Sequence, residues 1–116
     1  MAEQSLSLFL AGDAMITRPW SRVADQAFLD LVARMRAADV AIVNLETVIH
    51  EFQDYAQAQS GGAWMASPPA IAAELKWAGI DMLAHANNHA FDYGAGGILE
   101  TLRHAAAAGL VLSGSG

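Results

Sequence analysis

Apolar positions along this chain fall into two rhythms. Residues 5–11 (Ser-Leu-Ser-Leu-Phe-Leu-Ala) begin with every second residue apolar and end continuously apolar, as a strand entering a buried sheet does. Gly12-Asp13 is expected to break that strand. Over residues 25–37 the period lengthens: Phe28, Leu31, Val32 and Met35 stand at i, i+3, i+4 and i+7, one face of a helix, with Asp30 and Arg34 paired on the other. A second short strand is expected over residues 40–43, ended by Asn44-Leu45-Glu46-Thr47. Residues 50–62 are polar, close on Gly61-Gly62 and predict a loop long enough to lie over a site. Ser67-Pro68 reads as a helix start, with serine as N-cap and proline in the first helical position. Ile71, Leu75 and Ala78 form that helix's buried stripe, and Gly79 ends it. Residues 80–84 predict a third strand. Residues 97–108 predict a third helix with Ile98, Leu102 and Ala105 inward and Gly109 as its stop. Residues 110–112 begin a fourth strand before Ser113-Gly114-Ser115-Gly116.

Strand and helix therefore alternate from end to end, which favours an α/β fold with a parallel sheet and right-handed crossovers. Parallel strands bring their C-terminal ends to one edge, where open α/β sheets bind ligands. Gly12-Asp13, Asn44 with Glu46, residues 87–92 and residues 113–116 would all meet there. The densest of these is His85-Ala86-Asn87-Asn88-His89-Ala90-Phe91-Asp92-Tyr93-Gly94, rich in lone pairs and carrying one carboxylate. The same residue types also build turns and caps, so both readings stand at this point. Two acids, amides and a histidine at one edge suit a divalent cation that prefers oxygen and nitrogen donors.

Composition narrows the chemistry. With 116 residues, 54% of them hydrophobic, the chain has the length of one domain and enough apolar material for a core. Twelve acidic residues against six basic give a net charge of -6, no electrostatic basis for binding nucleic acid or an anionic membrane. The absence of cysteine removes disulfides and thiolate chemistry, leaving any metal to O and N ligands. No apolar run is long enough for a membrane span, and the first residues carry no basic leader, so a cytoplasmic location is expected.

Several of these pieces, in order, resemble the CapA type, the poly-gamma-glutamate capsule biosynthesis proteins of the calcineurin-like metallophosphoesterase superfamily. They are Gly12-Asp13-Ala14-Met15 with Arg18, residues 38–47 (Ala-Asp-Val-Ala-Ile-Val-Asn-Leu-Glu-Thr), Ala78-Gly79-Ile80-Asp81, Ala86-Asn87-Asn88-His89 through Asp92-Tyr93-Gly94, Glu100-Thr101-Leu102 and Gly114-Ser115-Gly116. The resemblance implies one partial domain over residues 1–116, the βαβαβαβ half of an α/β sandwich. It implies Asp13, Glu46 and Asn88 as metal ligands, His89 as the catalytic group beside the reacting phosphate or carbonyl, and Arg18 and Asn87 as contacts to an anionic or polyglutamate-like substrate. The cofactor would be Mn²⁺, Zn²⁺ or Fe²⁺. Met15 stands where phosphoesterases commonly carry a ligand histidine, a departure shared with the CapA type. Later histidine ligands of the superfamily lie beyond the fourth strand. The rest of the site would then come from a second copy, a companion chain or further sequence, and an uncovered apolar sheet face is expected.

The resemblance implies a metal-dependent hydrolase or transferase acting on a phosphoester or gamma-glutamyl amide bond. The competing reading is a non-catalytic binding or scaffold half-domain. His85 is expected to be structural, and His50 and His104 to lie on the surface. Trp20, Trp64 and Trp77 are expected in the core or at its rim, although Trp64, in a loop, could wall a pocket.

Overall fold

A computed structural model describes residues 3–60 and 62–115. Gly61 and Gly116, assigned above to a loop and to the closing turn, lie outside the described residues.

Four strands form one parallel sheet in the order β1 (Leu8–Ala14), β2 (Val40–Leu45), β5 (Met82–Ala84), β6 (Val111–Ser113). Between them come α1 (Gln26–Ala37), α2 (Ala70–Trp77) and α3 (Gly94–Ala107), giving the alternating parallel α/β architecture that the hydrophobic rhythm predicts. Two further strands, β3 (Val48–Ile49) and β4 (Ala66–Ser67), pair in parallel as a separate small sheet at the two ends of the long loop. Among the described residues, no helix is long and apolar enough to cross a membrane.

One face of the main sheet carries the core. Along β2, Ala41, Val43 and Leu45 are buried and pack with Leu83 of β5, Val32 and Met35 of α1, Ile71 and Leu75 of α2, and Ala105 of α3. Side chains alternate between faces along a strand, so the residues between these point to the opposite face. There the register lines up Leu10 with Ile42, Ile42 with Met82, and Met82 with Val111, one apolar row across four strands. Leu10 is 68% exposed and Val111 58% exposed. Parallel sheets are normally covered on both faces. Here the helices of the described residues share one core, and the other face is open.

Several local expectations give way to tertiary context. Gly12-Asp13 does not end β1: the strand runs to Ala14, with a register shift between Leu10 and Asp13. A bulge absorbs the glycine, since one extra residue in β1 keeps the ladder going. In α1, Asp25 caps the start by accepting from the Phe28 N–H at 2.9 Å. Asp30 accepts from Gln26 Nε2 at 2.8 Å instead of pairing with Arg34. Leu31 is 44% exposed and borders, with Phe9 and Met35, a crevice of about 210 Å³ beside the edge strand. Ser67 does not cap α2. It is buried in β4, where its hydroxyl donates to the Ile16 carbonyl at 2.5 Å and meets Thr47 Oγ1 at 2.7 Å, so the first helical turn falls to Pro68 and Pro69. Helix α3 begins three residues early, at Gly94, and its inward stripe is Gly94, Gly97, Thr101 and Ala105, with Leu102 38% exposed. Thr101 turns inward because its hydroxyl bridges the Ile49 N–H (2.9 Å) and the Gly97 carbonyl (2.8 Å), tying α3 to β3.

Candidate active site

The polar rim at the C-terminal ends of β1, β2 and β5 is assembled around one amide. Asn44, the fifth residue of β2, alternates onto the same face as Ile42, and the bulge in β1 places Asp13 opposite it in register. Asn44 Nδ2 donates to Asp13 Oδ1 at 2.8 Å and also to Glu46 Oε2, so two carboxylates from different strands share a single donor. Asn44 Oδ1 in turn accepts from Asn87 Nδ2 at 3.0 Å. Asn87 Nδ2 also donates to the Leu45 carbonyl at 2.8 Å, and Asn87 Oδ1 accepts from the His89 N–H at 3.0 Å. Asn87 therefore pins the turn after β5 to the end of β2.

That turn aims His89. Its Nδ1 lies 2.8 Å from Asp92 Oδ2, and its Nε2 lies 4.0 Å from Glu46 Oε1. An ionised carboxylate can only accept, so Nδ1 carries the proton toward Asp92 and Nε2 is presented to the rim. Asp92 is itself buried at 4% exposure, and the same Oδ2 also accepts from the Met65 N–H at 2.7 Å. The result is a line running Asp92, His89, Glu46 and, through Asn44, Asp13.

The long loop docks on the same residues. Gln57 N–H donates to the Asp92 carbonyl at 2.8 Å, and Trp64 Nε1 donates to the Gln57 carbonyl at 2.8 Å. A side chain at Gly94 (φ +67°) would run into Gln57 Nε2, and one at Gly96 into the Asp54 carboxylate. Glycine at both positions lets the loop lie flat on the start of α3. Between loop and turn opens a cleft of about 510 Å³ bordered by Gln57, Gln59, Ser60, Asn88, Phe91 and Asp92.

Of the site residues expected from sequence, Asp13, Glu46, Asn87 and His89 come together. Asn87 spends its polar atoms on the scaffold. Asn88 is exposed on the cleft side and makes no hydrogen bond among the described residues to the Asp13–Asn44–Glu46 group. Arg18 is exposed in the segment after β1 and forms no ion pair among the described residues. Sequence reasoning left Asn44 and Asp92 without a role. The i, i+3 spacing of His89 and Asp92 was the available signal, since a single turn brings such a pair into contact.

The other histidines divide differently. His85 is buried, with Nδ1 3.4 Å from Ser115 Oγ and Nε2 without a partner among the described residues, in keeping with a structural role. Burial pushes its pKa down, partly offset by the Thr47 backbone. His50 is not on the surface: it is 0% exposed, its ring 4.3 Å from Tyr93 and 4.9 Å from Phe52 between centroids, and neither nitrogen has a partner among the described residues. The small β3–β4 sheet draws it inward by pairing the His50 N–H with the Ser67 carbonyl at 3.2 Å. Burial pushes the His50 pKa below 6.5, with Asp54 and Glu100 opposing and His104 adding to the effect. His104 is likewise largely covered, its side chain 12% exposed and Nε2 3.5 Å from Glu100 Oε2.

For a cation, Asp13 and Glu46 supply hard oxygen donors side by side, the right chemistry for Mn²⁺ or Mg²⁺-like ions. Among the described residues, no three His, Asp or Glu side chains converge closely enough to hold an ion. The rim thus fits part of a ligand set.

Residues 7–116 match the family described as Bacterial capsule synthesis protein PGA_cap. The chain belongs to this family. Among its relatives are two proteins of Sinorhizobium fredii (strain NBRC 101917 / NGR234), Uncharacterized protein y4sH and Uncharacterized protein y4uA, each 34% identical over 113 residues. Those alignments cover 95% of this chain and 24% of each relative, so the chain spans about a quarter of the length of the curated relatives it matches. The capsule-synthesis match takes in every residue of the rim, from Asp13 to Asp92.

Proposed function

We propose that this chain carries part of the active site of a metal-dependent hydrolase or transferase of capsule biosynthesis, of metallophosphoesterase type, acting on a phosphoester or gamma-glutamyl amide bond. The observation that supports it is the line from Asp92 through His89 to Glu46, with Asp13 joined to Glu46 through Asn44: a buried acid orienting an imidazole toward a half-buried carboxylate. In its protonated form His89 donates from Nε2 to the leaving oxygen or nitrogen, and Asp92 steadies the charged ring through Nδ1. Asp13 and Glu46 bind the cation, with Asn88 turning in as a third donor, and Arg18 takes an anionic group of the substrate. A divalent cation (Mn²⁺, Zn²⁺ or Fe²⁺), when bound, lowers the pKa of a water and polarises a substrate oxygen. The missing ligands and the cover for the row Leu10–Ile42–Met82–Val111 come from a second copy of the chain, a companion polypeptide or further residues of the same protein.

A scaffold reading is favoured by one observation, the lack of a three-ligand group among the described residues. The two are separated by assaying the full-length protein, with each metal added, on a phosphoester and a gamma-glutamyl amide panel. Turnover that needs metal and is lost in His89→Ala supports the enzyme. No turnover, together with no metal in elemental analysis of the purified assembly, supports the scaffold.

A further inference from the structure

Deepening the hydrolase reading, on which it rests for the role of Asn88, we propose that the cleft bordered by Asn88 and Asp92 binds an uncharged saccharide, so that the group held there is a neutral sugar rather than a polyglutamate chain. The walls carry the argument. Gln57, Gln59 and Asn88 offer amides, Ser60 a hydroxyl, and among the described residues no lysine, arginine or histidine lines the cleft. The charged group on its border is the Asp92 carboxylate, and the whole chain is acidic at -6. A polyanion placed here would lose water and meet like charge with no cation to answer it. A ring of hydroxyls meets what it needs: each amide both donates and accepts, matching groups that do the same.

Phe91 adds the apolar half of the recognition. It is 48% exposed on the same wall, in the turn between Asn88 and Asp92, and an aromatic face left open beside amides suits the C–H face of a pyranose. The loop side is not free to collapse onto it, because Gln57 is fastened to the Asp92 carbonyl and to Trp64. At about 510 Å³ the cleft lies within the range of small-ligand sites, which run from roughly 300 to 1,000 Å³.

The test is calorimetric titration of the full-length protein with two neutral probes, cellotetraose and the N-acetylglucosamine tetramer, and with tetra-gamma-glutamate. Saturable binding of a neutral tetrasaccharide is expected, weakened about tenfold or more in Phe91→Ala and in Gln59→Ala. Tetra-gamma-glutamate binding as tightly as the neutral probes would overturn the proposal. So would neutral binding untouched by both cleft substitutions, or no neutral binding by protein whose circular dichroism is native. Saccharide binding without turnover of any ester would remove the hydrolase reading and leave the cleft assignment standing. Turnover of a sugar-free phosphoester without saccharide binding would do the reverse.

Discussion

His89 and His50 are histidines of one chain in opposite circumstances. His89 is partly covered, with Nδ1 tied to Asp92 and Nε2 turned toward Glu46. His50 is fully enclosed between Phe52 and Tyr93 with neither nitrogen bonded among the described residues. The first, though only 12% exposed, is oriented toward the rim, and orientation is what proton transfer requires. The second bears the cost of desolvated polar atoms without a return in geometry, about 1–3 kcal/mol for an unsatisfied buried group. Orientation by a neighbour, more than burial, separates these two imidazoles.

The largest effect expected from this contrast is on turnover. Removing a positioned general acid costs roughly 10²–10⁴-fold, so His89→Ala should lower kcat of the full-length protein by that order with an unchanged unfolding midpoint. Asp92→Asn should lower kcat by less, because the ring remains. It should also loosen the loop through Met65, seen as faster amide exchange over residues 57–65. Equal activity of Asp92→Asn and wild type would break the comparison on the His89 side.

A smaller and opposite effect is expected at His50. His50→Phe removes both unpaired nitrogens while keeping an aromatic ring between Phe52 and Tyr93, so the unfolding midpoint should rise by about 4 °C or more. A fall would mean that His50 holds a bond outside the described contacts.

The smallest is in pH dependence. Burial holds the His50 and His85 pKa values below 6.5 in the folded protein. The unfolded chain therefore binds more protons as pH falls below that value, and stability is lost on acidification. The carboxylates whose pKa values are lowered, Asp39 through its bonds from Ser7 and Asp81 through the Ala41 N–H from 3.8, and Glu100 through its bond from Arg103 from 4.5, contribute at lower pH. Between pH 7 and pH 5 the decline in unfolding midpoint should come from the buried histidines, and His50→Phe should flatten it. An identical slope in the variant would assign the decline to His85.

Much of this was legible in the sequence. The strand–helix alternation and the apolar spacing suffice for the parallel sheet, because periodicity reports which face of an element is buried. Asp13, Glu46 and His89 follow from strand ends meeting at one edge. Strand order places Asn44 at that edge too, but nothing in a sequence tells an amide that ends a strand from one that bridges two acids across it. Ser67 and His50 were misplaced for a shared reason: two residue-pair strands, β3 and β4, are too short to leave a periodic signal, yet they bury everything between Thr47 and His50. The three helices' common side was likewise not readable from spacing, and neither was the open row on the far side.

The bulge in β1 acts as a one-residue frame for the chemistry at its end. Upstream, Phe9 faces the helices while Leu10 faces away. In an unbroken ladder Asp13 would fall on the side of Phe9, its charge directed into aliphatic packing. Straightening the segment with every residue kept would rotate the carboxylate out of reach of Asn44, whereas deleting Ala11 or Gly12 would remove the extra residue and leave Asp13 two places after Leu10, still facing Asn44.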